Sequence, residues 1–334
     1  MLDMKRREFI TLLGGAGVVW PLAARAQQPG KPVRIGFLGA SLNAPATAGL
    51  FQQFLDELRD GGFSEGQNLI VEHRRVDDPR GTFVAAAELM RLQVDLIVAQ
   101  GPEVALQAVV GASRSIPIVL QAINYDPVER GYVASLARPG GNITGVSVEA
   151  GLEIWGKRLQ VLREGIPTAS KVGFLGSRQI WDLPQVAATR EAAAQVGITL
   201  LGPPLESLQE EEYRRVVGAM ARERVEGMIV GDQLEHVTYR RLIVNLAENA
   251  RLPTVFPYRE QFEVGALMAY GPSLADVYRR LAGYIDQILK GARPGELPIY
   301  LASKFELLVN QKAARALGLT LPTSLLVRAD EVIE

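Results

Sequence analysis

Two α/β lobes, each built on a parallel sheet, are what this sequence predicts, and three observations predict them. The tetrapeptide Gly-Phe-Leu-Gly occurs at Gly36–Gly39 and again at Gly173–Gly176, each copy preceded by a basic and then a β-branched residue. After each copy, short apolar runs alternate with helical patterns, as expected of strands buried on both faces with helices carrying the chain between them. Finally, 334 residues, 48% of them hydrophobic and only 7% aromatic, exceed what one core usually holds and suit two domains of about 100–150 residues.

In the first half, strands are predicted at Val33–Leu38, Asn68–Val76, Val94–Ala99, Ile116–Gln121 and Ile143–Val146. Helices are predicted between them near Ala46–Asp60, Thr82–Leu92, Val104–Ala112 and Glu129–Leu136. Leu50, Phe54, Leu55 and Leu58 recur at helical spacing and read as core, and Gly61-Gly62 then supplies a left-handed helix stop. In the second half, strands at Val172–Leu175, Ile198–Leu201, Gly227–Val230, Thr254–Phe256 and Leu267–Tyr270 alternate with helices near Pro184–Val196, Glu211–Glu223 and Thr238–Ala250. A long amphipathic helix, Leu274–Lys290, follows the last of these strands, and with the second sheet complete its natural packing surface is the first lobe. A final strand at Lys304–Val309 and a helix at Gln311–Leu317 close the pattern.

The N-terminus reads as an export signal spanning residues 1–26. Lys5-Arg6-Arg7-Glu8-Phe9-Ile10 leads into an apolar run that ends at Leu22, and Ala24-Arg25-Ala26 gives the small-residue pattern of a cleavage site, so the signal is of the twin-arginine type. The run is too short for a spanning helix, which needs about 20 apolar residues. Residues 1–26 carry four basic and two acidic side chains, so removing them takes the formal net charge from −1 to −3. No basic field remains for nucleic acid. Cysteine is absent, which excludes a lipid-modified cysteine, thiol chemistry, disulfides and the cysteine-paired amino-acid racemases.

Catalytic patterns are scarce. His73 and His236 fall in different predicted lobes and form no metal-ligand spacing. Gly145-Val146-Ser147-Val148-Glu149 lacks the final glycine of a nucleophile elbow. Gly151 to Arg158 imitates a phosphate loop, but Arg158 stands where a hydroxyl must hold magnesium and Leu152-Glu153-Ile154-Trp155 looks helical. The expectation is a protein without cofactor or metal, one that binds and does not catalyse.

Ligands of parallel α/β sheets sit beyond the carboxyl ends of the strands. Those loops read Gly39-Ala40-Ser41, Gln100-Gly101-Pro102-Glu103 and Ala122 to Pro127 in the first lobe, and Gly176 to Trp181, Gly231-Asp232-Gln233 and Pro257 to Glu260 in the second. They offer amides, hydroxyls, carboxylates and the rings of Tyr125, Trp181 and Tyr258. Asp126 follows a buried strand and precedes Pro127; its carboxylate suits either a ligand ammonium or the cap of the next turn.

Several of these segments resemble one family. KRREFITLLGG at the start, IGFLG, GFSEGQNLIVEHR, DPVERGYVASLARPGGNITGVS and the C-terminal KFELLVNQKAARALGLTLPTSLLVRADEVIE resemble ABC-transporter substrate-binding proteins of the tryptophan/tyrosine type. The resemblance implies a type I periplasmic-binding fold: two Rossmann-like lobes joined by a three-strand hinge, with solute trapped between them for an inner-membrane permease. It implies a first lobe of residues 31–145 plus 272–302 and a second of 146–271 plus 303–334. Matched onto this chain, the cleft would use Ser41, Gln100, Gly101, Asn124 and Asp126 from the first lobe and Ser177, Asp232 and Tyr258 from the second, with the loop residues Tyr125 and Trp181 expected beside them. Gly145, Ser147 and Gly271 would lie at the hinge. The implied partners are a small solute, an amino acid or aromatic acid, and an ABC permease; the protein would be a periplasmic monomer. A periplasmic sensor for a membrane receptor and an extracytoplasmic α/β enzyme are the competing readings.

Overall fold

The computed structural model describes residues 31–39, 48–75, 79–148 and 153–334. Its strands are β1 (Val33–Gly39), β2 (Leu69–Arg75), β3 (Leu96–Gly101), β4 (Ile118–Ala122), β5 (Ile143–Ser147), β6 (Lys171–Leu175), β7 (Thr199–Leu201), β8 (Gly227–Val230), β9 (Thr254–Phe256), β10 (Met268–Pro272), β11 (Tyr300–Leu301), β12 (Phe305–Asn310) and β13 (Glu331–Ile333). The helices are α1 (Ala48–Asp60), α2 (Pro79–Arg91), α3 (Glu103–Ala112), α4 (Glu153–Gly165), α5 (Arg178–Trp181), α6 (Pro184–Gln195), α7 (Glu210–Arg222), α8 (Glu235–Thr238), α9 (Arg240–Asn249), α10 (Arg259–Phe262), α11 (Leu274–Leu289), α12 (Gln311–Leu317) and α13 (Thr323–Arg328).

The first sheet has the order β11-β5-β4-β3-β1-β2 and is parallel throughout. The second has the order β13-β12-β10-β9-β8-β6-β7. There, β12 runs antiparallel to β10, with Gly271 opposite Glu306, in a sheet whose other pairings are parallel as the sequence predicts. The reason is the route of the chain. β10 runs out toward the first lobe, and β12 returns from that lobe through residues 302–304 with no crossover helix to restore its direction.

Both sheets are covered on both faces, as continuous apolar strands require. Along β3, Leu96 and Val98 join the cluster under α1 and α11, while Ile97 and Ala99 join the one under α2 and α3. The repeated tetrapeptide has a packing purpose. A Cβ at Gly36 would press on Leu89 of α2 at 3.3 Å, and one at Gly173 would meet Met220 of α7 at 2.8 Å. In each lobe, the glycine of the first strand therefore lets a helix side chain settle onto backbone. The α11 helix packs along α1, with Val277, Tyr278, Leu281 and Ile285 buried beside Phe54 and Leu58.

The helix predicted over Glu129–Leu136 does not form. Asp126 Oδ1 instead accepts the N–H groups of Val128 and Glu129, and Gly131 takes φ +74°, so the chain closes into a turn. Three crossings join the lobes, between β5 and α4, at Ser273 and at 302–304. No helix among the described residues is long and apolar enough to cross a membrane.

Candidate functional site

In each sheet the strand order reverses at the first strand of the lobe, between β1 and β3 and between β6 and β8. Loops leave such a switch point toward opposite faces and open a crevice at the carboxyl ends of the strands. All three crossings leave from those ends, so the two crevices share one cleft.

Part of that cleft is a pocket lined by Ile123, Asn124 and Val148 from one side and Ile154, Arg158, Asp232 and Tyr258 from the other, with Pro272 at a crossing. Asn124 reaches it because the chain turns at φ +63°, a conformation asparagine tolerates better than most residues. The pocket measures about 10 Å³, room for one water at most. Nothing larger than water fits this part of the cleft as it stands.

The polar centre of the pocket is an ion pair. Arg158 is fully buried on α4, with Nη1 2.5 Å from Asp232 Oδ1 in the loop after β8. Its Nε donates to the Tyr270 carbonyl at 2.8 Å, and its guanidinium lies 5.5 Å from the Trp155 ring centre. Tyr258 donates its hydroxyl to the Asp232 carbonyl at 2.7 Å, fixing the loop that carries the carboxylate. Burial pushes the Asp232 carboxyl up, against the pull of Arg158 in the other direction. Removing one partner of such a pair leaves a buried charge, at a cost of about 3–5 kcal/mol.

Beside the pocket the lobes touch through apolar side chains. Leu234, Val237 and Tyr258 belong to the same cluster as Leu274, Val277 and Tyr278 at the start of α11. Tyr278 anchors a buried amide pair in the first lobe: Gln100 Nε2 donates to the Tyr278 hydroxyl at 2.7 Å and to Gln121 Oε1 at 2.9 Å. Glu260, at the start of α10, has its Oε2 buried without a hydrogen-bond partner among the described residues. Burial is the main force that pushes its carboxyl up to about 7.

The structure brings Asn124, Asp232 and Tyr258 to one pocket. Gln100 is held in the amide pair at the end of β3, and Gly101 turns that end at φ +109°. Ser177 caps α5 and donates its N–H to Gln233 Oε1 at 2.9 Å. Two rings expected in the cleft pack against the hydrophobic clusters of their own lobes, Tyr125 buried and Trp181 partly buried. Tyr125 is buried on the far face of the first sheet, edge-on to Tyr132. Trp181 packs edge-on against Phe174 in the second lobe, with Arg190 over its ring at 5.2 Å. Asp126 uses Oδ1 to hold its own turn. Ser41 and the export signal expected at 1–26 lie outside the described residues.

Gly145 and Gly271 lie within strands, at points of close backbone approach. A Cβ at Gly145 would stand 2.1 Å from the Leu120 carbonyl oxygen, and one at Gly271 would stand 1.9 Å from that of Pro257. Ser147 ends β5 and accepts the Ala302 N–H at 2.8 Å, tying two crossings together. Of the histidines, His236 is buried with Nδ1 2.8 Å from the Tyr213 hydroxyl, and burial lowers it to about 3. No metal-ligand cluster exists among the described residues.

Sequence reasoning missed Arg158 as a cleft residue. The signal was present: on α4, Arg158 stands three and four residues from Trp155, Ile154 and Leu162, inside the apolar face. A cation in that position needs a buried partner.

The sequence model of the family described as ABC transporter substrate binding protein matches residues 39–333. A tyrosine-binding protein of Clostridioides difficile strain R20291 is 23% identical over 268 residues, which span 80% of this chain and 75% of that protein. Among solved structures, a conserved domain protein from Vibrio cholerae is 25% identical with a TM-score of 0.77, covering 90% of this chain and all of that one. An ABC domain in complex with L-Trp from Streptococcus pneumoniae is 23% identical with a TM-score of 0.75, covering 91% of this chain and all of the other.

Proposed function

The chain belongs to the ABC transporter substrate-binding protein family, and on that premise we propose that it captures an amino acid or aromatic acid between its lobes and delivers it to an ABC import permease. The observation that carries this reading is the pocket shared by the lobes, in which apolar walls from Ile123, Val148 and Ile154 surround a buried cation and carboxylate. Such a lining holds an aliphatic or aromatic side chain and leaves the charged groups for its polar end. The relatives that bind tyrosine and L-Trp support the same class of solute. The cleft works by binding alone, and the protein acts as a periplasmic monomer after export through the twin-arginine signal. Calorimetric titration of the mature chain with the proteinogenic amino acids and a set of aromatic carboxylates tests this. One or a few should bind at one site per chain; heat from none of them would refute the solute class.

A further inference from the structure

Resting on the reading that the cleft takes an amino-acid-type solute, we infer that Arg158 and Asp232 form a two-point receptor for a zwitterion, Arg158 recognising the α-carboxylate and Asp232 the α-ammonium.

The first reason is unused hydrogen-bonding capacity. A guanidinium carries five N–H donors, and Arg158 commits its Nε donor to the Tyr270 carbonyl. Its Nη1 and Nη2 groups, like Asp232 Oδ1, make no well-directed hydrogen bond among the described residues, although Nη1 and Oδ1 are 2.5 Å apart. The ion pair thus leaves the Nη2 donors unsatisfied in a buried site and holds Nη1 and Oδ1 only against each other. A carboxylate laid against the Nη edge satisfies the donors as a pair, and an ammonium completes the Asp232 oxygen.

The second reason is position. Nη2 lies under the second crossing, where a Cβ at Gly271 would be 3.2 Å from it. The next residue, Pro272, lines the same pocket as Arg158 and Asp232. The Tyr270 bond and the Trp155 ring fix the guanidinium before any solute arrives, which lowers the ordering cost on binding.

The third reason is charge balance. Arg158 and Asp232 cancel, so a zwitterion enters without changing the net charge of the buried site. A simple acid or a simple amine would leave one charge uncompensated there, the arrangement that buried sites tolerate least. Zwitterions are therefore selected over both singly charged analogues.

Calorimetry on the mature chain at pH 7 tests the assignment with L-tyrosine, tyramine, which lacks the carboxylate, and 3-(4-hydroxyphenyl)propionate, which lacks the amine, with L-tryptophan as a second zwitterion. The two analogues should bind at least about 100-fold more weakly than the better amino acid, the loss expected when a buried charged group is left unpaired. In Arg158→Met the order should invert, with tyramine bound more tightly than tyrosine because Asp232 then lacks its cation. Tyramine or the propionate binding wild type as tightly as tyrosine would overturn the receptor while leaving the solute class intact, as would an Arg158→Met variant that weakens all ligands alike. If Arg158→Met does not fold, Arg158→Lys replaces it, and the analogue series on wild type decides. Failure of all four compounds to bind would remove the solute class and the receptor with it.

Discussion

Asp126 and Asp232 both follow a strand that points at the cleft, yet the fold uses them differently. Asp126 closes its own turn through the N–H groups of Val128 and Glu129, whereas Asp232 faces Arg158 in the shared pocket. Asp126→Ala should lower stability by about 1 kcal/mol, the value of a lost cap, and leave solute affinity unchanged; thermal melts with calorimetry check both halves. Glu260 should make stability depend on pH. Its carboxyl is pushed up to about 7 in the folded chain, so between about 4.5 and 7 the folded state holds a proton that the unfolded state has released. Its contribution is complete below that window and is lost as pH rises through it. Glu260→Gln should therefore match wild type near pH 4.5, gain on it up to pH 7 by as much as about 3 kcal/mol, and hold a constant advantage above. Denaturant titrations across that range measure the gap, and a gap that does not grow contradicts the assignment. At this scale the sequence exposes loop residues such as Asn124, Asp232 and Tyr258, because strand ends face the cleft. It conceals Arg158, which comes from the inner face of a helix.

Among the elements, the strands were legible and their surroundings less so. Continuous apolar runs have few alternatives to a buried strand, and β1, β3, β6, β8 and β9 fall where the runs do. The Glu129–Leu136 segment has helical spacing, but Pro127, Gly131 and the Asp126 side chain commit the backbone to turns first. The direction of β12 is not a local property at all; it depends on the lobe from which the chain returns. Glycines read as hinges prove to be packing positions as well. Gly271→Ala places a methyl group 1.9 Å from the Pro257 carbonyl oxygen and 3.2 Å from Arg158 Nη2. It should cost at least about 2 kcal/mol and weaken solute binding by displacing the guanidinium. Urea unfolding and calorimetry of that variant measure both, and wild-type behaviour in the two would show that the crossing yields easily.

For the whole molecule, the duplicated α/β unit gives two sheets whose carboxyl ends meet, three short crossings and an apolar contact between Tyr258, Leu234 and the start of α11. The pocket of about 10 Å³ lined by both lobes among the described residues holds nothing larger than water, and the proposed capture has the lobes part at this contact to admit a solute. The proposed function places that cycle outside the cytoplasm, after export directed by residues 1–26. Changing Arg6 and Arg7 to Lys should retain the precursor in the cytoplasm, as cell fractionation would show, and unimpaired export would exclude the twin-arginine route. The central claim is that a solute is enclosed between moving lobes, and small-angle X-ray scattering of the mature chain tests it most directly. The radius of gyration should fall when the amino acid giving the largest calorimetric heat is added to saturation. An unchanged radius at saturation would contradict enclosure.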